Sequence, residues 1–173
     1  MNNIYLVGFM GTGKSAVGRE LAKKKKRQFI DLDGLIELKE KRSIADIFAQ
    51  EGEPYFRRLE SKVLKEVAKE NNFVVGCGGG IVIDEKNIKT MKDTGTVICL
   101  SAAPDVILKR VLSSTHRPLL NVKNPKERIE LLLKLRSPYY AKAHKCIDTS
   151  KLSIKEVIAK ILKLLPVKNQ VAR

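Results

Sequence analysis

Residues 8–15 read GFMGTGKS, and Gly8, Gly13, Lys14 and Ser15 fill the pattern G-x-x-x-x-G-K-[ST]. That pattern cradles the phosphates of ATP or GTP. Gly8, Gly11 and Gly13 let the backbone come close and turn its N–H groups inward. Thr12 and Ala16 complete the ATP-binding stretch. The helix expected to follow points its positive end at the phosphates. Lys14 is placed to reach the β- and γ-phosphates, and the Ser15 hydroxyl to ligate Mg²⁺.

Phosphoryl transfer also needs a carboxylate near the metal. FVVGCGGG and TVICLSAA carry none at their strand ends, and Asp148 ends a strand expected at the periphery. FIDLDG carries Asp31 and Asp33, two residues apart. On an extended segment, alternation would point both carboxylates the same way. One would then serve the metal while the other takes a proton from an attacking hydroxyl. The plainer alternative makes Asp33 a helix cap and Asp31 a solvated strand end. The neighbouring phosphate loop favours the chemical reading.

Three further segments suit a small anionic acceptor. In EPYFRRLES, residues Phe56, Leu59, Val63 and Val67 form the apolar stripe of a helix. Arg57 falls off that stripe, and Glu60, three residues on, can hold its guanidinium. CGGGI places Gly78, Gly79 and Gly80 directly after a strand, where a ligand can approach closely. LRSPYY places Arg136 near the end of a long helix. Two arginines converging on one pocket suit bidentate capture of a carboxylate. Taken singly, each has an ordinary reading: an exposed ion pair, a turn, a neutralised helix end.

The elements that must position these groups follow from the alternation of short apolar runs with helical patterns. Strands are expected at 4–8, 28–32, 73–77, 96–101 and 145–148, and helices at 14–26, 53–71, 104–113, 125–142 and 153–165. Continuous apolar strands alternating with helices predict an α/β fold, a parallel sheet with helices on both faces. Asn124, Pro125 and Glu127 signal a helix start, as do Pro104 and Asp105. Two stretches break the rhythm: residues 33–60, expected to hold a short helix pair, and the polar residues 113–123. Such insertions at strand carboxyl ends carry substrate sites and lids. Residues 1–166 read as one domain and 167–173 as a flexible tail, with Pro166 ending the last helix.

The whole chain has 173 residues, 43% hydrophobic and 31% charged, which suits one soluble domain. Its 34 basic and 19 acidic residues give a net charge of +15. The run KKKKR at 23–27 reads as a solvated helix end that complements the helix dipole. No nucleic-acid motif or interleaved aromatics accompany it, so no nucleic-acid partner is expected. No membrane association is expected either, since no run approaches a membrane span, and the apolar start lacks the basic segment of a leader. Three scattered cysteines, Cys77, Cys99 and Cys146, read as buried reduced thiols of a cytoplasmic protein.

GFMGTGKS, FIDLD, SIADIFAQEGEPYFRRLES, GCGGGIV, RPLL and RSPYY occur in the order and spacing of shikimate kinases. The chain resembles that family over residues 4–148. The resemblance implies a three-layer P-loop fold of the nucleoside-monophosphate-kinase type, with a five-stranded parallel sheet in order 2-3-1-4-5. It implies transfer of the ATP γ-phosphoryl to the 3-hydroxyl of shikimate, a step in aromatic amino acid synthesis, by a monomer using one Mg²⁺. Carried over, Asp33 is the base and binds the shikimate hydroxyls, and Asp31 joins Ser15 around Mg²⁺. Arg57 and Arg136 grip the carboxylate, and Gly78, Gly79 and Gly80 line the ring. Arg117 closes over the phosphates from the lid, and Arg110 with Thr149–Ser150 flanks the adenine.

Two positions depart from the pattern: Gly76 stands where a Ser or Thr is frequent, and Lys151 where an arginine is frequent. His116 reads as a solvated lid residue. The rival readings are a gluconate-kinase-like or nucleotide kinase, a nucleic-acid-binding module and an inactive kinase used for binding. FRRLE and RPLL oppose the first pair, the acid-and-arginine set opposes the second, and intact Lys14, Ser15, Asp33 and Arg117 oppose the last.

Overall fold

The computed structural model describes residues 2–112 and 124–165. The strands are β1 (Asn3–Val7), β2 (Gln28–Asp31), β3 (Phe73–Gly76), β4 (Gly95–Ser101) and β5 (Lys145–Asp148). All pair in parallel, in the order β2-β3-β1-β4-β5. That is the expected topology, with strand ends shifted by a residue.

Every residue of β1 is buried, because strands flank it on both sides and helices cover both faces. Its side chains alternate between two cores. Ile4 and Leu6 pack with Val17 and Leu21 of α1 (Lys14–Lys25) and with Val157 and Ile161 of α7 (Ile154–Leu164). Tyr5 and Val7 face the other way. There they join α2 (Leu32–Glu40), α3 (Ile44–Lys69), α4 (Glu85–Thr94), α5 (Pro104–Leu112) and α6 (Pro125–Tyr140). β3 and β4 follow one another in the chain yet lie on opposite sides of β1. The crossover leaves a crevice at the carboxyl end of β1, the place where open α/β sheets bind ligands.

Helix ends carry the local signals. Lys23, Lys24 and Lys25 occupy the last turn of α1, at the negative end of its dipole. Ser43 opens α3 in a capping box with Asp46. Asn124 holds the N-cap position before Pro125, although its side chain makes no capping bond. The short helix pair expected within 33–60 is α2 plus the first half of α3. That helix breaks at Gly52, whose φ of 77° and ψ of 173° are not helical. α4 lies where no helix is expected from the sequence; only Ile88, Met91 and Asn87 are buried along it.

Two expectations, and the helix-cap alternative for Asp33, need correction. Asp31 and Asp33 are not two positions of one strand, because the chain turns into α2 at Leu32. Asp33 does not cap that helix: Asp31 holds the N-cap position and Asp33 lies in the first turn. Cys146 is exposed, whereas Cys77 and Cys99 are buried. β5 is an edge strand, and only Ile147 along it is buried. Among the described residues no helix is long and apolar enough to cross a membrane. The lid at 113–123 with Arg117 and His116, and Pro166 with the tail, lie outside the described residues.

Candidate active site

The carboxyl ends of β1, β2 and β3 open into one cavity of about 1340 Å³. Its walls include Gly11, Gly13, Lys14, Ser15 and Ala16 from the loop and start of α1, and Asp31 and Asp33 from the β2–α2 junction. Arg57 and Glu60 of α3, Gly78–Gly80 after β3, Arg110 of α5 and Arg136 of α6 complete it. Thr12, fully buried behind the loop, donates its hydroxyl to Phe9 O at 2.7 Å.

The phosphate loop is preformed. Gly8, Gly11 and Gly13 all hold positive φ, and Gly13 is the N-cap of α1. The Lys14 ammonium donates to Gly8 O at 2.8 Å and Phe9 O at 2.9 Å. Ser15 Oγ donates to Asp31 Oδ2 at 2.9 Å, so the two expected metal-shell groups meet directly. Hydroxyl and carboxylate oxygens are the donors that Mg²⁺ takes alongside phosphate and water, so this pair fits the ion. Among the described residues no cluster of three or more His, Cys, Asp or Glu side chains could hold a metal alone. Arg110 reaches the loop from α5, donating to Gly11 O and Thr149 Oγ1 at 3.1 Å and to Thr149 O at 3.0 Å.

The other end of the cavity is a charge network. Arg57 Nη1 donates to Glu60 Oε2 at 2.8 Å, while Nη2 and Nε donate to Glu53 Oε1 at 2.7 and 3.1 Å. Burial alone would lower the pKa of Arg57, but Glu60 and Glu53 outweigh it and raise it. Glu60 has no exposed surface. Burial pushes its carboxyl up to about 7, with the Arg57 charge opposing that rise and Asp33 adding to it. Glu60 Oε1 has no hydrogen-bond partner. Arg136, 7% exposed, lies over the Phe9 ring at 5.7 Å. Tyr140, one turn on, donates to Gly79 O at 2.6 Å and fixes the glycine loop.

That loop touches both halves of the network. A Cβ on Gly78 would overlap Glu60 Oε1 and crowd Asp33 Oδ1, and one on Gly80 would overlap the Arg57 guanidinium. Gly79 differs: a Cβ there would meet nothing nearer than Gly8 O at 3.5 Å. Every described site residue expected from the sequence therefore lines this cavity or its immediate wall. Glu53 and Tyr140 were missed, and both were within reach of a spacing argument. Glu53 stands four residues before Arg57, and Tyr140 four after Arg136.

A preformed phosphate loop joined through one cavity to a buried carboxylate and guanidinium pocket defines the class: an ATP-dependent small-molecule kinase, a phosphotransferase with an alcohol acceptor. The model of the shikimate kinase family matches residues 10–166. A shikimate kinase of Thermodesulfovibrio yellowstonii is 45% identical over 163 residues, 94% of each chain. The structure of a shikimate kinase from Acinetobacter baumannii in complex with shikimate superposes with a TM-score of 0.92 at 39% identity, covering 99% of this chain and 96% of that one. The chain belongs to the shikimate kinase family. A gluconokinase from Sinorhizobium meliloti, with a TM-score of 0.61 at 16% identity over 94% of this chain and 90% of its own, shares the fold alone.

Proposed function

We propose that the cavity transfers the γ-phosphoryl of ATP to the 3-hydroxyl of shikimate, with the reacting groups assigned as follows. Arg57 and Arg136 bind the shikimate carboxylate at the end of the cavity away from the phosphate loop. Asp33 accepts hydrogen bonds from the ring hydroxyls and takes the 3-hydroxyl proton as that oxygen bonds phosphorus. The bond from phosphorus to the bridging oxygen breaks, and ADP leaves. Lys14 and, from the lid, Arg117 offset the charge on the transferring group. Ser15 and Asp31 would hold Mg²⁺, which would supply positive charge to offset that of the phosphates. Gly11, Thr12, Gly13 and Ala16 cradle the phosphates, and Arg110 with Thr149 walls the nucleotide end. Gly78, Gly79 and Gly80 line the ring.

The observation that carries this reading is that Lys14, Ser15, Asp31, Asp33, Arg57 and Arg136 line one cavity. Residues 33–60 then act as the acceptor-binding region and 113–123 as the lid, within a monomeric cytoplasmic domain spanning 1–166. A coupled ADP-release assay with ATP and Mg²⁺ tests it, comparing shikimate, gluconate and AMP as acceptors. Release is expected with shikimate; a rise with AMP alone would reject the assignment.

A further inference from the structure

Cys99 and Cys146 stand directly opposite one another on the neighbouring parallel strands β4 and β5. Both are free thiols, one buried and one exposed. Adjacent strands lie about 4.7–4.9 Å apart, within the Cα separation of about 4.4–6.8 Å that a disulfide bridges. Paired in register on parallel strands, the two side chains leave the same face of the sheet, which sets the two sulfurs side by side. We propose that this pair is a reversible oxidation site for peroxides, in which Cys146 is attacked first and Cys99 resolves it to a disulfide.

The asymmetry of the pair supplies the roles. Cys146 meets solvent on the edge strand and is within reach of a small oxidant, whereas Cys99 is 1% exposed and shielded from one. The hydrogen bond from Cys99 holds the Cys146 thiol below the usual thiol range, against the effect of its own partial burial. The same contact pushes Cys99 up. Thiolate character is what peroxide selects. The Cys146 sulfur attacks one peroxide oxygen, the O–O bond breaks, and hydroxide leaves as water on taking up a proton. The Cys99 sulfur then attacks the Cys146 sulfur of the sulfenic acid, the S–O bond breaks, and the departing hydroxyl takes the Cys99 proton as a second water. Two thiols and one peroxide give one disulfide and two waters. The third cysteine, Cys77, is fully enclosed in the opposite half of the sheet and takes no part.

The bond would be felt at the nucleotide end. Two residues beyond Cys99, Ser101 O accepts from Thr149 Oγ1 at 3.0 Å, and the same hydroxyl bonds Thr12 O at 3.1 Å. A disulfide there would tie together the two strands whose ends hold this clamp and restrict their movement as nucleotide enters.

Hydrogen peroxide on the full-length protein tests the proposal by intact-mass and peptide analysis. Wild type is expected to lose the mass of two hydrogens through a Cys99–Cys146 link, to recover with dithiothreitol, and to show an ATP KM at least about threefold higher while oxidised. Cys99→Ser is expected to stop at a sulfenic acid on Cys146, trapped as a dimedone adduct, and Cys146→Ser to stay unmodified at both positions. Both variants keep basal activity. Failure of the link to form, a link between two chains through Cys146, or an unchanged ATP KM in the linked protein each overturns it.

Discussion

Glu60 accepts a hydrogen bond from Arg57 at 2.8 Å while itself having no contact with solvent. The pair is unequal. Arg57 is partly open to the cavity and is also held by the half-exposed Glu53, whereas Glu60 is enclosed beneath it. The guanidinium is thereby fixed in direction before any acceptor arrives, which lowers the ordering cost of binding. The other oxygen of Glu60 is buried without a hydrogen-bond partner and lies near Asp33 behind the glycine loop.

Burial raises the Glu60 carboxyl to about 7 from an ordinary 4.5. The folded state then holds a proton that the unfolded state releases between those values. Its contribution to stability is complete below the lower value and is lost as pH rises through the upper one. Glu60→Gln mimics the protonated form at every pH. The stability of wild type relative to this variant is expected to fall between pH 5 and 8, by up to roughly 3 kcal/mol. Denaturant titrations of both proteins across that range measure it, and a difference that does not vary with pH contradicts the raised value.

Asp33→Ala is expected to lower kcat by about 10²–10⁴-fold, the share of a positioned general base, while ATP binds with unchanged affinity. Near-normal turnover in this variant removes Asp33 from the base role. Nucleotide titration monitored separately from turnover distinguishes loss of the base from loss of the fold.

The sheet was legible because β1, β3 and β4 are apolar runs whose helical partners show their own period. The phosphate loop was legible because its chemistry is local. The reading of FIDLDG expected the two carboxylates to share one cavity by strand alternation; one strand end and one helical turn bring Asp31 and Asp33 there instead. The pairing of Arg57 with Glu60 followed from helical spacing. The complete burial of Glu60 did not, since it depends on the glycine loop that arrives from β3. The exposure of Cys146 follows from β5 lying at an edge, the peripheral place expected for that strand, although its apolar neighbours read as a buried run.

Arg136 should act on the acceptor and not on the nucleotide. It is nearly buried, lies against the Phe9 ring and lines the cavity at the glycine loop. A charge-assisted contact contributes about 1.5–3 kcal/mol, so Arg136→Ala is expected to raise the shikimate KM by roughly 10–100-fold. The ATP KM stays as in wild type. Initial rates with each substrate varied in turn check this; a change confined to ATP would require the acceptor pocket to be redrawn.

The three consecutive glycines make different demands, and alanine at each separates them. At Gly80 the new methyl overlaps the Arg57 guanidinium, the far end of a flexible side chain. Arg57 can swing aside, so Gly80→Ala is expected to fold normally but to raise the shikimate KM by about tenfold or more, losing one charge-assisted contact. At Gly78 the methyl overlaps the Glu60 carboxyl, which is fully buried with no room to retreat into solvent, and crowds Asp33 as well. Gly78→Ala is therefore expected to lose both stability and turnover. At Gly79 the methyl enters ordinary contact only, so Gly79→Ala keeps the wild-type Tm. Any loss of shikimate binding there reports close approach of the substrate ring, not damage to the fold. Thermal unfolding and shikimate KM measured on the three variants test the pattern. A Gly79→Ala protein less stable than Gly78→Ala would show that the loop is packed differently.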